Sequence, residues 1–180
     1  FEYFFKTPGV GFNFLVLRIR DVTQKNFTIC ANPRVLSSNA FKAEKPHASI
    51  CIGDSLILYR HCDLLAVGHG EIIIGNDCII GSDFRCYSRV KVEIGDHVLM
   101  SWGVFISDYD AHSTEPNQRL KEINYIQSTF IPNFSKKVKE RKPAQFTPQY
   151  VTRPVTIGNN VWIGANVTIL KGVSIGSGSV

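Results

Sequence analysis

From Ile94 to His112 the chain reads in sixes: IGDHVL, MSWGVF, ISDYDA, and then a histidine where a fourth block should open. Ile94, Met100 and Ile106 open the blocks, a small residue follows each (Gly95, Ser101, Ser107), and the fifth place holds Val98, Val104 and then Asp110. A period of six is neither the 3.6 of an amphipathic helix nor the 2 of a plain strand. It fits a short strand followed by a fixed turn, repeated. The frame is present upstream as IGNDCI-IGSDFR-CYSRVK from Ile74, slips by two residues at Val92 and Glu93, and returns as IGNNVW-IGANVT-ILKGVS-IGSGSV over 157–180. Ten first positions (74, 80, 86, 94, 100, 106, 157, 163, 169, 175) hold eight Ile, one Met and one Cys, which excludes accidental register.

The residue types explain the repeat. Ile at the first place and Val at the fifth point inward from a flat strand and its corner. Gly at the second place permits a tight turn, and Asn, Asp or Gly at the third and fourth suit backbone with φ > 0. Three such strands make one triangular coil, and coils stack as parallel strands about 4.8 Å apart. The expected fold is all-β, a parallel β-helix. The repeat is weaker from Ile50, where Ile52-Gly53-Asp54 shows it, and it blurs through 59–70. Asn26 to Leu36 reads as a degenerate coil, 37–48 as a loop, and the aromatic-rich start as a cap with a strand or two. The expected organisation is one structural domain: a cap and degenerate first coils over 1–49, then a β-helix over 50–180 with a long excursion at about 113–154.

With 180 residues, 44% hydrophobic and 19% charged, the chain can bury a real core. No run of 18 apolar residues exists, so no membrane span is expected. Val10 to Ile19 is apolar but interrupted by Asn13 and Arg18, and reads as a strand rather than a signal peptide. The chain begins at Phe1 rather than Met, as a trimmed chain would. Net charge is +5, and SKKVKERK at 135–142 holds five of the twenty Lys and Arg. The five cysteines (30, 51, 62, 78, 86) form no C-x-x-C pair. Reduced, buried thiols in a cytoplasmic protein are expected rather than disulfides or zinc, with no nucleic-acid partner.

The hexads of 157–180, together with IGDHV and ISDYDAH upstream, resemble the hexapeptide-repeat acyltransferases. The closest branch is the O-acetyltransferases that modify sugars, surface polysaccharides and nodulation-type oligosaccharides. The resemblance covers roughly 50–180 and is most specific around Trp162. It implies a left-handed β-helix, a homotrimer, and active sites in clefts between subunits, where acetyl-CoA lies along the helix. Members of the family continue for further coils past the position of Val180, and those coils hold the distal portion of CoA. That portion of the contact is expected either to lie beyond these residues or to be curtailed.

Regular scaffolds break their own pattern at functional sites, and here the break is Asp108, Asp110 and His112. Acyl transfer to a hydroxyl needs a base and donors for the developing oxyanion, and an imidazole suits the first task near neutral pH. His112 matches the family's base. Asp110 either orients that ring or bonds corner amides, and Asp108 reads as structural. The resemblance places Trp162 beside the thioester and pantetheine arm, a position that also suits packing on a neighbouring subunit, and Gly164 and Ala165 where backbone meets pantetheine. Lys171 replaces a typical repeat residue near the expected CoA path and reads as a solvated lysine or as one that meets a phosphate. Tyr87 and Ser88 lie on a preceding coil, near where the resemblance implies the acceptor. His61, His69 and His97 lack the paired H-x4-H of the zinc-binding carbonic anhydrases that share the fold, so no metal is expected. The excursion combines Phe130, Phe134, Phe146 and Tyr150 with the basic run. It reads as a solvated flap, or as a lid over the acceptor that favours an anionic glycan or a membrane-associated substrate.

The expected function is acetyl-CoA-dependent O-acetylation of a saccharide in bacterial envelope or capsule synthesis, in the cytoplasm or at the inner face of the membrane in peripheral contact with it. The alternatives are N-acetylation of an amino sugar or small amine on the same fold, and a non-catalytic β-helix scaffold.

Overall fold

The computed structural model describes residues 27–29, 34–35, 40–44, 47–129 and 146–180. The expectations for the N-terminal cap before residue 27, Cys30, Phe130, Phe134 and the basic run 135–142 lie outside the described residues.

The first coil is formed by β1 (Phe27–Ile29), β2 (Arg34–Val35) and β3 (Ala40–Ala43). The second holds β4 (Ser49–Ile52), β5 (Ile57–Leu58) and β6 (Asp63–Ala66). The third holds β7 (Glu71–Ile74), β8 (Ile79–Ile80) and β9 (Arg85–Ser88). The fourth holds β10 (Val92–Ile94), β11 (Leu99–Met100) and β12 (Phe105–Ser107). The chain then departs through helix α1 (Pro116–Thr129) and returns as β13 (Val155–Ile157), β14 (Trp162–Ile163) and β15 (Thr168–Ile169). β16 (Ser174–Ile175) opens a sixth coil. Every third strand stacks in one parallel sheet: β1-β4-β7-β10-β13-β16, β2-β5-β8-β11-β14, and β3-β6-β9-β12-β15. This is the expected parallel β-helix. It differs from expectation in two places: the excursion carries a 14-residue helix, and the stretch 37–48, read as a loop, holds strand β3, which pairs in parallel with β6.

Register turns the first-position residues into ladders. Ile52, Ile74, Ile94 and Ile157 stack in the first sheet, Leu58, Ile80, Met100 and Ile163 in the second, and Leu64, Cys86, Ile106 and Ile169 in the third. All are buried, and each such side chain stabilises the fold by about 1.5–3 kcal/mol. The cysteines among the described residues are free thiols. Burial pushes the Cys62 thiol up to about 11 and raises Cys78 and Cys86 as well, so they serve as small apolar core groups.

The corners are held by polar ladders. Asn76 Oδ1 accepts from the Asp54 N–H (2.8 Å), Asp96 Oδ1 from Asn76 (2.7 Å), Asn159 Oδ1 from Asp96 (2.9 Å) and Ser177 Oγ from Asn159 (3.0 Å). The fourth hexad place, Asp77, His97 and Asn160, carries the positive φ of 54–58°. The second-place glycine is there for a different reason from the one the sequence offered. A Cβ on Gly75 would lie 2.6 Å from the Gly95 carbonyl carbon of the next coil. It is the stacking distance, rather than the turn, that excludes a side chain.

Candidate functional site

The chain leaves the helix at the end of β12, and Asp108 makes that departure possible. Its buried carboxylate accepts hydrogen bonds from the Arg89 N–H (2.8 Å), the Val90 N–H (2.9 Å) and Ser88 Oγ (2.7 Å). It thereby satisfies the corner of the coil below. The outgoing and returning strands then run antiparallel: Tyr109 pairs with Thr152, the Asp110 N–H donates to Val151 O (3.0 Å), and the Arg153 N–H to Asp108 O (2.9 Å). Arg89 pins both ends. Its guanidinium carbon lies 3.5 Å from the Tyr150 ring centroid and 5.1 Å from that of Tyr109, a cation–π arrangement. Burial raises the Tyr109 phenol above its ordinary range, although the Arg89 charge opposes the shift.

Helix α1 begins within a tight turn just past His112. Ser113 Oγ accepts from the Glu115 N–H (3.1 Å), the Glu115 carbonyl accepts the first helical bond from Arg119 N–H (2.9 Å), and Pro116 takes the first helical place, where its missing N–H costs nothing. Arg119 Nη1 donates to the carbonyls of Ser113 (2.9 Å) and Thr114 (3.0 Å). Gln118, Glu122 and Tyr125 follow at i, i+4 and i+7 and so share one face. Tyr125 packs on Phe146 with ring centroids 5.9 Å apart. This seats the Glu122 carboxylate against the imidazole, with Glu122 Oε1 2.9 Å from His112 Nδ1. The Glu122 side chain is 11% exposed and that of His112 is 65% exposed. Gln118, Glu122 and His112 bound a cavity of about 80 Å³, closed on its other side by residues 146–150.

Asp110 does not meet the histidine. Its Oδ1 accepts from Lys171 Nζ at 2.6 Å, because the chain has already left the coil at Ser107 and the fifth hexad place no longer points inward. The same bond engages the Lys171 amine, for which the sequence offered a solvated position or a phosphate. Ser88, expected near the acceptor, is fully buried, and its hydroxyl lies between the Glu71 carbonyl (2.9 Å) and Asp108. Tyr87 stays partly accessible, with its OH donating to Asp63 Oδ2 (3.1 Å) and its ring edge-on to Phe105. Trp162 is 43% exposed on the second sheet, in register with Leu99 and Ile79, which are 41% and 40% exposed, and with Ile57. Gly164 follows in the open: among the described residues a Cβ there would meet only Val167 Cγ2, at 4.0 Å. Ala165 beside it is half-buried. The structure thus brings His112 together with Glu122 and Asp110 together with Lys171. It keeps Trp162 on the second sheet, with Gly164 and Ala165 in the turn that leads on to the third, and His112 follows the third-sheet strand of the preceding coil.

Sequence reasoning missed Glu122 and Arg89. The signal for Glu122 was Ser113 followed by Pro116, a helix start that would have put Gln118, Glu122 and Tyr125 on one face. Among the described residues no cluster of three or more His, Cys, Asp or Glu could hold a metal ion, and no helix is long and apolar enough to cross a membrane.

Two repeat models match the chain: the bacterial transferase hexapeptide (six repeats) over 154–180, and the hexapeptide repeat of succinyl-transferase over 71–108. The chain is 27% identical over 129 residues to "Probable acetyltransferase Rv3034c" of Mycobacterium tuberculosis, covering 72% of this chain and 32% of that protein. It is 32% identical over 111 residues to "Putative acetyltransferase YJL218W" of Saccharomyces cerevisiae, covering 59% and 43%. It is 30% identical over 132 residues to "Putative lipopolysaccharide biosynthesis O-acetyl transferase WbbJ" of Escherichia coli, covering 73% and 58%. The chain therefore spans between about a third and three fifths of the length of these relatives. No solved structure matches it. Both matched stretches fall on stacked coils, one on the third and fourth and the other on the fifth and the opening of the sixth, and the chain belongs to the hexapeptide-repeat transferase family.

Proposed function

We propose that the protein transfers an acetyl group from acetyl-CoA to a saccharide hydroxyl, with His112 as general base. The observation that carries the reading is the imidazole itself. It is exposed at the mouth of a cavity, where the repeat breaks, with Nδ1 already engaged by Glu122. Nε2 is then the nitrogen left to take a proton. The names of the three relatives support acetyl transfer, and that of the Escherichia coli protein supports a saccharide acceptor.

Acetyl-CoA would supply the acetyl group as a thioester. The exposed ring of Trp162 and the open backbone at Gly164 suit a thin pantetheine arm, since among the described residues the nearest group to a Cβ on Gly164 is Val167 Cγ2 at 4.0 Å. His112 Nε2 accepts the acceptor's hydroxyl proton as its oxygen bonds to the acetyl carbon. The carbon–sulfur bond breaks, and the imidazolium returns a proton to the departing sulfur. Tyr87, partly exposed on the third sheet, is offered to the acceptor.

Trp162 lies on the second sheet and the base follows a strand of the third, and a neighbouring copy completes each site in this reading. The outward apolar column Ile57, Ile79, Leu99 and Trp162 suits burial against that copy, and the family is typically trimeric. Use of acetyl-CoA implies a cytoplasmic reaction, at the inner face of the membrane if the saccharide is lipid-borne. Labelled acetyl-CoA offered with a panel of sugars and amino sugars tests the reading. Label transferred to an oxygen of a saccharide supports it. Transfer to amines alone, or no acetyl-CoA binding, overturns it.

A further inference from the structure

We infer that Glu122 is the residue that positions His112, fixing the tautomer of its ring and balancing the charge the ring acquires as a base. This rests on the transfer reaction proposed above, but its first test does not.

Four carboxylates lie near the break in the repeat; Glu115 is exposed in the turn that starts the helix, and two others are committed elsewhere. Asp108 is buried and bound by Ser88, Arg89 and Val90. Asp110 holds Lys171. Glu122 remains, and among the described residues its side-chain hydrogen bond is to His112 Nδ1 at 2.9 Å. The asymmetry of exposure is informative. A solvent-exposed ion pair leaves both groups in water and contributes little. Here the carboxylate is 11% exposed while the ring is 65% exposed, so the acid is drawn beneath the ring rather than the reverse. A carboxylate removed from water needs a donor, and an ionised one can only accept. The hydrogen must therefore sit on Nδ1, which leaves the Nε2 lone pair free. When Nε2 takes a proton, the adjacent negative charge stabilises the imidazolium, the role a carboxylate plays beneath a catalytic histidine.

The placement of Glu122 is built into the excursion. The helix start is clamped by Arg119 on the carbonyls of Ser113 and Thr114, and the same helical face is held by Tyr125 on Phe146. Glu122 lies between these two anchors. Seating the helix therefore sets the base, which gives the excursion a task beyond covering an acceptor.

The test begins with the ligand-free protein. Nitrogen-15 NMR of the imidazole should show the His112 hydrogen on Nδ1 in wild type, and a shift toward the Nε2–H form in Glu122→Leu. A wild-type ring carrying its hydrogen on Nε2, or a tautomer unchanged in Glu122→Leu, overturns the inference whatever the activity. Turnover comes next. In Glu122→Leu kcat should fall at least about tenfold, and up to the ~10⁴-fold that loss of an orienting carboxylate can cost, with acceptor KM little changed. Glu122→Gln can still accept from Nδ1–H and should recover some of the loss, and it serves as the informative variant if the leucine protein does not fold. Full kcat in both variants, with His112→Ala inactive, overturns the positioning role. Full turnover in His112→Ala removes the base, and with it the role of Glu122, while the Nδ1 tautomer would still be seen.

Discussion

Lys171 Nζ donates to Asp110 Oδ1 at 2.6 Å across 61 residues of chain. The pair ties the first residues of the excursion to the corner that closes the fifth coil, where Gly172, with φ of 79°, donates its N–H to the carbonyls of Arg153 and Pro154. Both side chains are about a quarter exposed, 26% and 28%, so screening limits what the bond contributes. A double-mutant cycle of Asp110→Asn and Lys171→Met, read by denaturant unfolding at fixed protein concentration, should give a coupling of about 1 kcal/mol or less. Asp110→Asn should also keep far more activity than His112→Ala. Equal damage from both would return Asp110 to the catalytic role that the hexad pattern gave it.

Asp108 is expected to matter more, and for stability. Three donors converge on its carboxylate in a site closed to water. Asp108→Ala leaves the Arg89 and Val90 amides without an acceptor and should cost about 3 kcal/mol or more. Asp108→Asn keeps one accepting oxygen and should cost about half as much. Thermal unfolding of the two variants separates the cases, and equal, small losses would mean the corner re-pairs with water.

What could be read in the sequence follows from what repeats. Ile74, Ile94 and Ile157 hold the same place in every coil, so their common direction and the stacking they impose were both legible. The first coil was harder, because Arg34–Val35 pairs with Ile57–Leu58 without an Ile-Gly hexad to mark it. Helix α1 was legible only at its start, Ser113 and Pro116, and not in its pattern of apolar residues. Its face toward the cavity is polar, carrying Gln118 and Glu122, while Leu120, Ile123 and Ile126 are exposed at 58%, 45% and 42%, so its apolar residues do not report the buried side. Asp110 was read as inward because counting by six does not reveal that the chain has left the coil. Ser88 looked available because a neighbour twenty residues on, Asp108, seals it.

Two glycines at the same hexad place should respond oppositely to alanine. A Cβ on Gly75 would press on the Gly95 backbone at 2.6 Å, whereas on Gly164 it would find its nearest neighbour at 4.0 Å. Gly75→Ala must push adjacent coils away from each other and should cost on the order of 2 kcal/mol, within the range for overpacking. Gly164→Ala should leave the melting temperature within about 1 °C. If Gly164 faces the pantetheine arm, the larger Gly164→Val should raise the KM for acetyl-CoA and leave the fold intact. Unchanged donor kinetics in that variant would remove Gly164 from the donor path.

His112 is the residue on which the proposed chemistry depends. Its ring is 65% exposed and makes no contribution to the apolar ladders, so its removal spares the core, although it leaves the Glu122 carboxylate without its donor. His112→Ala should keep the oligomer and the affinity for acetyl-CoA, with a modest drop in melting temperature. The hydroxyl of a saccharide would then have to attack without a base beside it, which is expected to slow transfer by on the order of 10²–10⁴-fold. Small primary amines, which are nucleophilic when neutral, should lose less than hydroxyl acceptors at alkaline pH, where more of the amine is already deprotonated. Measuring both acceptor classes on one variant separates loss of a base from loss of a binding contact, since a contact would be lost to both alike. Wild-type turnover by His112→Ala on a saccharide that the parent protein acetylates would remove this mechanism, leaving the β-helix and its family standing.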